Sequence, residues 1–316
     1  MSAMSLHVVI GFGPAGAATA RLLARQGERV RVIGRSPRES EPGLEHVVLD
    51  AADHAALTSA AKGATAIYSC ASPPYHQWAD DWPPLADSIC TTAEATGALL
   101  VSLGNLYGYG PVDGPLTENL PLAATGPKGR MRARLWDQLH TLHAEGRIRA
   151  VEVRASDFFG PGVTDGGHLA SRVVPLVLKG RKVQVMGDPD APHSWTYLPD
   201  VARTLVAVAK EEKAWGKAWH VPTGEPRSAR VMVALLCEAA GVAPVGVQRL
   251  SPVLLRVGAV VSPLLRELAE VRYQFDRPFV VDSQAAQHLL GLRPTPEKDQ
   301  AAETVTWWRE RAATER

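Results

Sequence analysis

The chain has 316 residues and a formal net charge of +1, with 46% hydrophobic and 21% charged residues. This length is enough for one large domain or a two-lobed unit with a sizeable core. The balanced charge favours neither nucleic acid nor an anionic membrane as a partner. The three cysteines are odd in number and form no C-x-x-C pair, which argues against a disulfide framework or a thiolate zinc site and favours a reducing compartment. Because neither an export signal nor an apolar stretch long enough to span a bilayer is visible, we expect a cytoplasmic protein.

Short apolar runs alternate with helix-forming segments through the first half of the chain. Residues 8–10 form an apolar run that ends in glycines, as a buried parallel strand does. Residues 15–26 then show apolar positions at helical spacing before Gly27, a typical helix stop. The alternation continues with strands predicted at 30–33, 47–49, 66–68, 99–101 and 150–153, and helices near 53–61, 84–96 and 129–143. This order predicts an α/β fold of the Rossmann type, with a doubly wound parallel sheet.

The pattern changes after about residue 170. Short strands at 183–185 and 218–221 are interleaved with helices near 200–210, 229–240 and 253–271. We therefore expect a first domain over residues 1–170 and a smaller C-terminal α/β substrate lobe over residues 171–316. The lobe is expected to be discontinuous, with residues 196–222 returning to the first domain.

A glycine-rich turn joins the first strand to the first helix. Gly11-Phe12-Gly13-Pro14-Ala15-Gly16 matches G-x-G-x-x-G directly after a strand and at the start of a helix. Glycines permit the tight turn and a close backbone approach, and the helix N-terminus offers free N–H groups to a diphosphate. The sequence thus predicts a dinucleotide cofactor bound by residues 1–170; a structural turn without a ligand is the alternative.

The end of the second strand indicates which dinucleotide is bound. NAD and FAD sites use an acidic residue there to bind ribose hydroxyls, whereas this chain has Gly34-Arg35-Ser36. An arginine suits a 2′-phosphate through charge-assisted hydrogen bonds. We expect Arg35 and Ser36 to bind NADP(H), with NAD as the alternative cofactor and a solvated loop charge as the other interpretation of Arg35.

Landmark residues then follow the fifth strand in a fixed order. They read Leu106-Tyr107-Gly108, then Thr117-Glu118-Asn119, then Pro127-Lys128-Gly129-Arg130-Met131-Arg132. That order resembles extended short-chain dehydrogenase/reductases, the family of nucleotide-sugar epimerases and dehydratases. The resemblance implies a small-molecule substrate, a homodimer through the helices near 84–96 and 129–143, and further cofactor contacts from Asp50, Ala51, Cys70, Ala71, Ser72 and Ala155. For Asp50 a helix cap is the alternative role.

The catalytic positions of that family are altered in this chain. Where the family has Pro-Tyr-Gly-x-x-Lys, Lys128 and Arg132 keep the one-turn spacing and change the chemistry. The family's serine or threonine position falls on Leu103. Arginine does not deprotonate, but it can hold ribose or phosphate oxygens. We therefore expect Arg132 to hold the cofactor and Lys128 or Tyr107 to transfer the proton; Tyr107 is alternatively only the family's ordinary Tyr-Gly landmark.

The loop over residues 72–78 lies near the position expected for nicotinamide. Tyr75 and His76 are candidate proton donors there, and Trp78 is a candidate wall for an apolar or aromatic substrate; a rigid loop with a core aromatic is the alternative. The other expected substrate contacts are Leu103, Tyr107, Phe158, His168 and Trp195. His168 is alternatively a solvent-facing residue, and Asp200 is expected to be a helix N-cap rather than a catalyst.

Three functions are consistent with this pattern. The first is an NADP(H)-dependent oxidoreductase that acts on a small, partly aromatic metabolite with a non-standard proton donor. The second is a redox-silent sensor that binds a protein partner, which an exposed apolar surface over residues 253–268 would support. The third is an epimerase, dehydratase or cyclase without net redox change. The histidine spacing does not indicate a metal site.

Overall fold

Our computed structural model describes residues 5–251 and 270–314 of the chain. The strands are β1 Leu6–Ile10, β2 Arg29–Gly34, β3 Leu44–Val48, β4 Ala64–Ser69, β5 Leu99–Asn105, β6 Arg149–Ala155, β7 Phe158–Phe159, β8 Val183–Val185, β9 Thr196–Tyr197, β10 Ala218–His220 and β11 Val247–Arg249. The α-helices are α1 Pro14–Arg25, α2 His54–Ala60, α3 Trp78–Thr96, α4 Pro127–Ala144, α5 Val174–Leu178, α6 Leu198–Lys210, α7 Ala229–Ala240, α8 Tyr273–Asp276, α9 Gln284–Leu290 and α10 Glu297–Thr314.

Seven parallel strands form the central sheet in the order β10-β6-β5-β4-β1-β2-β3. Alternate side chains of each buried strand enter opposite layers of core, so that Val9 packs with α1 and α6 while Val8 and Ile10 pack with α2 and α3. Helices on both faces of a parallel sheet confirm the predicted Rossmann-type α/β fold.

Helix α3 begins earlier than predicted. The sequence suggested a start near residue 84, but the helix begins at Trp78 and contains Pro83 and Pro84. A proline inside a helix removes one hydrogen bond and crowds the preceding turn. Trp78 and Trp82 are each only 4% exposed, so packing of this first part of the helix outweighs the local preference of the prolines.

The C-terminal part of the chain divides between the sheet and a smaller layer. Strand β10 pairs with β6 at the edge of the central sheet, and α6 packs on α1, so these parts of residues 196–222 lie with the sheet. Strands β8 and β11 form a separate parallel pair, and α7 packs against α5 and α10. The domain boundary at residue 170 stays a prediction, and the helix predicted near 253–271 falls almost wholly outside the described residues.

Asp200 does not cap α6, in contrast to the prediction. The helix begins two residues earlier, and the buried carboxylate accepts hydrogen bonds from Thr295 N at 2.9 Å and Thr295 Oγ1 at 2.7 Å. Asp200 thus ties α6 to the segment before α10. Among the described helices, none is long and apolar enough to cross a membrane.

Candidate functional site

A cavity of about 720 Å³ opens along the carboxyl ends of β1, β2, β4, β5 and β6. Parallel α/β sheets bind ligands at this edge, at the position where the strand order changes direction. In this sheet that position lies between β1 and β4. Its lining begins at the glycine turn after β1 and ends beyond β6, at Phe158 and the segment 163–167. One elongated cavity therefore joins the predicted cofactor residues to most of the predicted substrate residues.

The glycine turn leaves room that side chains would fill. Gly11 has φ +90°, and a Cβ on it would stand 2.7 Å from the backbone of Ala71. A Cβ on Gly16 would stand 2.0 Å from the carbonyl oxygen of Gly11. Gly13 begins α1 without a side-chain cap, so the N–H groups of the first turn remain available to an anion. These features fit a dinucleotide diphosphate.

Every predicted cofactor residue except one lines the cavity. The lining includes Gly11, Phe12, Gly13, Pro14, Ala15, Arg35, Ser36, Asp50, Ala51, Cys70, Ala71, Ser72, Arg132 and Ala155. Gly16 is the exception, because it packs directly against Gly11. Burial raises the pKa of the Cys70 thiol to about 12, so this cysteine is a neutral part of the wall and not a nucleophile.

Positive charge gathers at the end of the cavity next to β2. Arg35 and Arg38 line it, and neither forms an ion pair within the described part of the chain. Arg38 lies 5.9 Å and Arg21 5.5 Å from the ring centre of Phe12, and His46 makes an edge contact with the same ring at 4.9 Å. Asp50 also lines this end but does not cap α2, since its Oδ1 accepts from Ala52 N while Asp53 caps the helix.

Arg132 is held between two indole rings at the opposite end. Its guanidinium carbon lies 4.7 Å from the ring centres of both Trp78 and Trp82. Burial lowers the pKa of Arg132, while Glu152 beneath it favours the charged form; the group stays cationic near neutral pH. Its buried Nε has no hydrogen-bond partner among the described residues, so the site holds a donor without an acceptor.

Two phenols meet in the cavity beside Arg132. The hydroxyl of Tyr75, after β4, and that of Tyr107, after β5, are 2.6 Å apart. Burial raises the pKa of Tyr107 well above its ordinary value, with the nearby charge of Asp157 adding to the effect, and burial also raises the pKa of Tyr75. Both phenols are therefore neutral, which suits proton donors better than resting bases.

Lys128 does not take the place of the family's tyrosine in the cavity. Its side chain is 4% exposed and outside the lining, and its Nζ donates to the carbonyl oxygen of Tyr75 at 3.1 Å. The amine also lies 5.1 Å from the ring centre of Tyr75 and 5.3 Å from that of Trp78. The expectation that Lys128 transfers the proton therefore has no support in the geometry; Lys128 braces the loop that presents Tyr75.

The predicted substrate residues separate into two groups. Tyr75, Trp78, Leu103, Tyr107 and Phe158 line the cavity, but His76 is exposed on the outer side of its loop. His168 and Trp195 lie outside the lining as well, because they pack with Phe275 in an aromatic cluster behind it. Burial lowers the pKa of His168 to about 4, so the alternative of a solvated histidine does not describe it either.

The polar lining residues that were missed from the sequence include Asn105, Asp157 and Gln274. Asn105 and Asp157 sit at the carboxyl ends of β5 and β6, a position that could have singled them out. Gln274 carried no such signal. It is 2% exposed, and its side-chain nitrogen has no partner among the described residues, which marks it as a donor toward a bound ligand.

A buried polar network supports this end of the sheet. Arg154 donates to Glu152 Oε1 at 2.6 Å and to the Tyr109 hydroxyl at 2.7 Å, and Tyr109 is 2.8 Å from His220 Nε2. His220 Nδ1 donates to the Asp282 carbonyl, so its Nε2 accepts from Tyr109. Each of these side chains has a hydrogen-bond partner, and the network holds β6, β10 and the loop after β5 together.

Comparison with known proteins gives a consistent result. Residues 8–221 match the model of the NAD dependent epimerase/dehydratase family. No curated protein sequence matches the chain significantly.

Solved structures of this kind cover nearly the whole chain. Epimerase Mth375 from Methanothermobacter thermautotrophicus has a TM-score of 0.80 at 17% identity, covering 98% of this chain and 94% of its own. UDP-glucose 4-epimerase with UDP-glucose from Thermotoga maritima has a TM-score of 0.79 at 15% identity, covering 97% and 99%. The dTDP-glucose 4,6-dehydratase DesIV from Streptomyces venezuelae, with NAD and TYD bound, has a TM-score of 0.77 at 20% identity, covering 98% of both chains.

Proposed function

Because the chain belongs to the NAD-dependent epimerase/dehydratase family, we propose that it is an oxidoreductase that binds NADP(H) and acts on a small, partly aromatic metabolite. The single observation that carries this proposal is the continuous cavity, which joins an intact glycine turn to a wall of two phenols, the indole of Trp78 and hydrogen-bond donors that have no partner among the described residues. When bound, the cofactor supplies the exchangeable hydride.

The preference for NADP(H) rests on charge at the end of β2. The position that would bind ribose hydroxyls through a carboxylate holds Arg35, with Ser36 and Arg38 beside it in the lining. A 2′-phosphate would gain charge-assisted hydrogen bonds from these groups, each worth about 1.5–3 kcal/mol. NAD remains the alternative, and DesIV, to which this chain is similar, is described with NAD bound.

The proton step is assigned to the Tyr75–Tyr107 pair. Tyr107 donates from its hydroxyl to an oxygen of the substrate, and the hydroxyl of Tyr75, 2.6 Å away, then donates to the phenolate that remains and stabilises it. The fixed positive charge of Arg132 favours the same phenolate, as its pKa-lowering influence on Tyr107 indicates. Arg132 thus holds cofactor oxygens and stabilises developing negative charge, without transferring a proton itself.

The substrate class follows from the walls beyond the phenols. Trp78, Leu103 and Phe158 present apolar surface, while Gln274 and Arg132 present donors suited to a carbonyl or carboxylate oxygen. Such a mixture suits a small ring-bearing carbonyl compound or its alcohol. The homodimer expected through α3 and α4 stays a prediction, which analytical ultracentrifugation tests.

Cofactor titration tests the first half of the proposal. We expect NADPH to bind more tightly than NADH, and the Arg35→Asp variant to lose about 10-fold to 100-fold in NADPH affinity with little change for NADH. Arg29→Ser is the matched control, since Arg29 is exposed at the opposite end of the same strand. Equal affinities of the wild type for both cofactors would refute the assignment to NADP(H).

Turnover tests the second half. A library of aromatic and aliphatic carbonyl compounds is mixed with NADPH, and its oxidation is followed by absorbance. Tyr107→Phe is expected to lower kcat by about 100-fold or more without weakening NADPH binding. Tyr273→Phe is the control, as that phenol lies outside the cavity lining. Product formed without NADPH consumption would instead indicate internal return of the hydride, as in an epimerase.

A further inference from the structure

A carboxylate and an imidazole meet at the wall of the cavity, at the end of β6. Asp157 lines the cavity with a side chain that is 21% exposed, and its Oδ2 lies 3.0 Å from Nε2 of His193. His193 itself is only 3% exposed and does not line the cavity. Asp157 is thus the side of this pair that faces a ligand, while His193 stands behind it.

The hydrogen bonds of His193 fix where its protons lie. Nδ1 is 3.0 Å from the carbonyl oxygen of Gln274, which only accepts, so Nδ1 carries a hydrogen. A neutral ring would then turn a lone pair on Nε2 toward the carboxylate of Asp157, and two acceptors would face each other at 3.0 Å. The contact is favourable only when a proton lies between them. Imidazole is the stronger base of the two groups, so the ring takes that proton.

The surroundings of His193 isolate this proton from bulk water. The ring packs on Trp195 at 4.2 Å, on Phe275 at 5.0 Å and on Phe279 at 5.4 Å between centres. Ser156 Oγ also contacts the ring, at 3.4 Å from Nε2. Two other titratable groups lie nearby: His168 stacks on the same Phe275, and the guanidinium of Arg227 forms an ion pair with Glu297. Asp157 and Ser156 both line the cavity, and Asp157 makes the shorter contact with Nε2, so it is the more direct polar route from the ring to the cavity.

We propose that His193 is an imidazolium held by Asp157, and that this pair supplies the proton that an oxyanion in the cavity takes up during each turnover. The N–H bond at Nε2 breaks as Asp157 Oδ2 accepts that proton. The O–H bond of the Asp157 carboxyl group then breaks as the oxyanion takes the proton and forms an O–H bond of its own. The carboxylate is regenerated, the oxyanion becomes a hydroxyl group, and His193 is left neutral with its remaining N–H on Gln274. Solvent that enters the cavity restores the proton afterwards through Asp157, whose side chain is partly exposed there.

The use of this proton in catalysis rests on the proposed function, whereas the protonation state of His193 is tested without substrate or cofactor. The oxyanion is either the alkoxide of the substrate or the phenolate left on Tyr107, and Asp157 lines the same cavity as both phenols. Asp157 then acts as a catalytic residue, while His193 acts as a positioning and proton-holding residue behind it.

Nitrogen-15 NMR of histidine-labelled protein tests the protonation state directly, without substrate or cofactor. The His193 signals are assigned by their loss in His193→Gln. At pH 7 we expect both ring nitrogens of His193 to be protonated in the wild type, and Nε2 to become unprotonated in Asp157→Asn. An unprotonated Nε2 in the wild type would overturn the proposal.

Kinetics test whether the proton is used. With a substrate from the carbonyl library, Asp157→Asn and His193→Gln are expected to lower kcat by about 100-fold, leave NADPH affinity unchanged, and respond to added imidazole buffer, which restores part of the rate. His288→Gln, an exposed histidine on α9, is the control with wild-type kinetics. Wild-type kcat in both variants, or a loss that no buffer restores, would contradict the proton supply. If the wild type binds no NADPH, the proposed function fails, and the NMR result still decides the protonation state.

Discussion

Gly16→Ala tests the glycine turn at its most crowded point. The new Cβ would stand 2.0 Å from the carbonyl oxygen of Gly11 and 3.3 Å from Cβ of Cys70. Because Cβ contacts shorter than 3.0 Å essentially do not occur, the turn must move by about 1 Å, and backbone cannot rotate away as a side chain can. That movement strains the hydrogen bond from Gly11 N to Ile33 O, now 2.8 Å.

The expected loss of stability for Gly16→Ala combines two costs. Overpacking of a filled site costs about 1–3 kcal/mol. A weakened backbone hydrogen bond adds about 1 kcal/mol. Urea unfolding followed by tryptophan fluorescence should therefore show a decrease of about 2–4 kcal/mol, and NADPH affinity should fall because the displaced turn no longer presents its N–H groups.

Two matched variants separate folding from binding at this turn. Gly224→Ala places a Cβ in open space away from the cavity, so neither quantity should change. In Gly13→Ser the new Cβ also has no atom within 4 Å, and serine at the N-cap stabilises a helix by about 0.3 kcal/mol relative to glycine. We expect it to fold normally but to bind NADPH more weakly. Unchanged stability and affinity in Gly16→Ala would refute the steric reasoning.

The buried polar groups give three further predictions, each measured by urea unfolding. Tyr109→Phe removes the acceptor of Arg154 and the donor to His220, and is expected to cost about 2–3 kcal/mol, with Tyr273→Phe nearly neutral. Burial lowers the pKa of His220 from 6.5 to about 4, so between these pH values the unfolded chain binds a proton that the folded chain does not. The free energy of unfolding should therefore fall by about 1.4 kcal/mol for each pH unit as the pH is lowered from 6.5 toward 4. The variant His220→Asn should lose this dependence on pH. Asp200→Ala leaves two donors of Thr295 without their acceptor and should cost about 2 kcal/mol or more, so a neutral effect would contradict its role as a tether.

Local patterns were sufficient to predict the sheet and the cofactor turn. The alternation of apolar runs with helical segments, and the spacing of Gly11, Gly13 and Gly16, depend on neighbouring residues only. The structure confirms the parallel sheet and has the glycine turn between β1 and α1. The start of α3 was wrong because burial of Trp78 and Trp82 by distant residues outweighs the prolines. Local sequence carries no measure of that burial.

The proton-bearing groups were harder to predict for the same reason. Lys128 occupies the expected helix position, but the direction of its amine depends on a carbonyl 53 residues earlier. Asp157 and His193 are 36 residues apart and follow different strands, and the proton between them depends on a third segment that supplies the Gln274 carbonyl. The proposed proton can be inferred only from the folded structure, in which the segments of Asp157, His193 and Gln274 come into contact.

In the mechanism that we propose, several residues of the cavity share the tasks that the family's tyrosine and lysine perform on one helix face. On α4, Arg132 retains a fixed positive charge, while Lys128 supports the loop of Tyr75 from outside the cavity. The dissociable protons lie elsewhere, on the phenols after β4 and β5 and on the pair after β6. A charge that cannot dissociate favours an oxyanion without neutralising it, so the reaction needs a separate proton source. Loss of the catalytic motif on α4 is therefore compatible with a working enzyme whose proton transfer has moved to the strand ends.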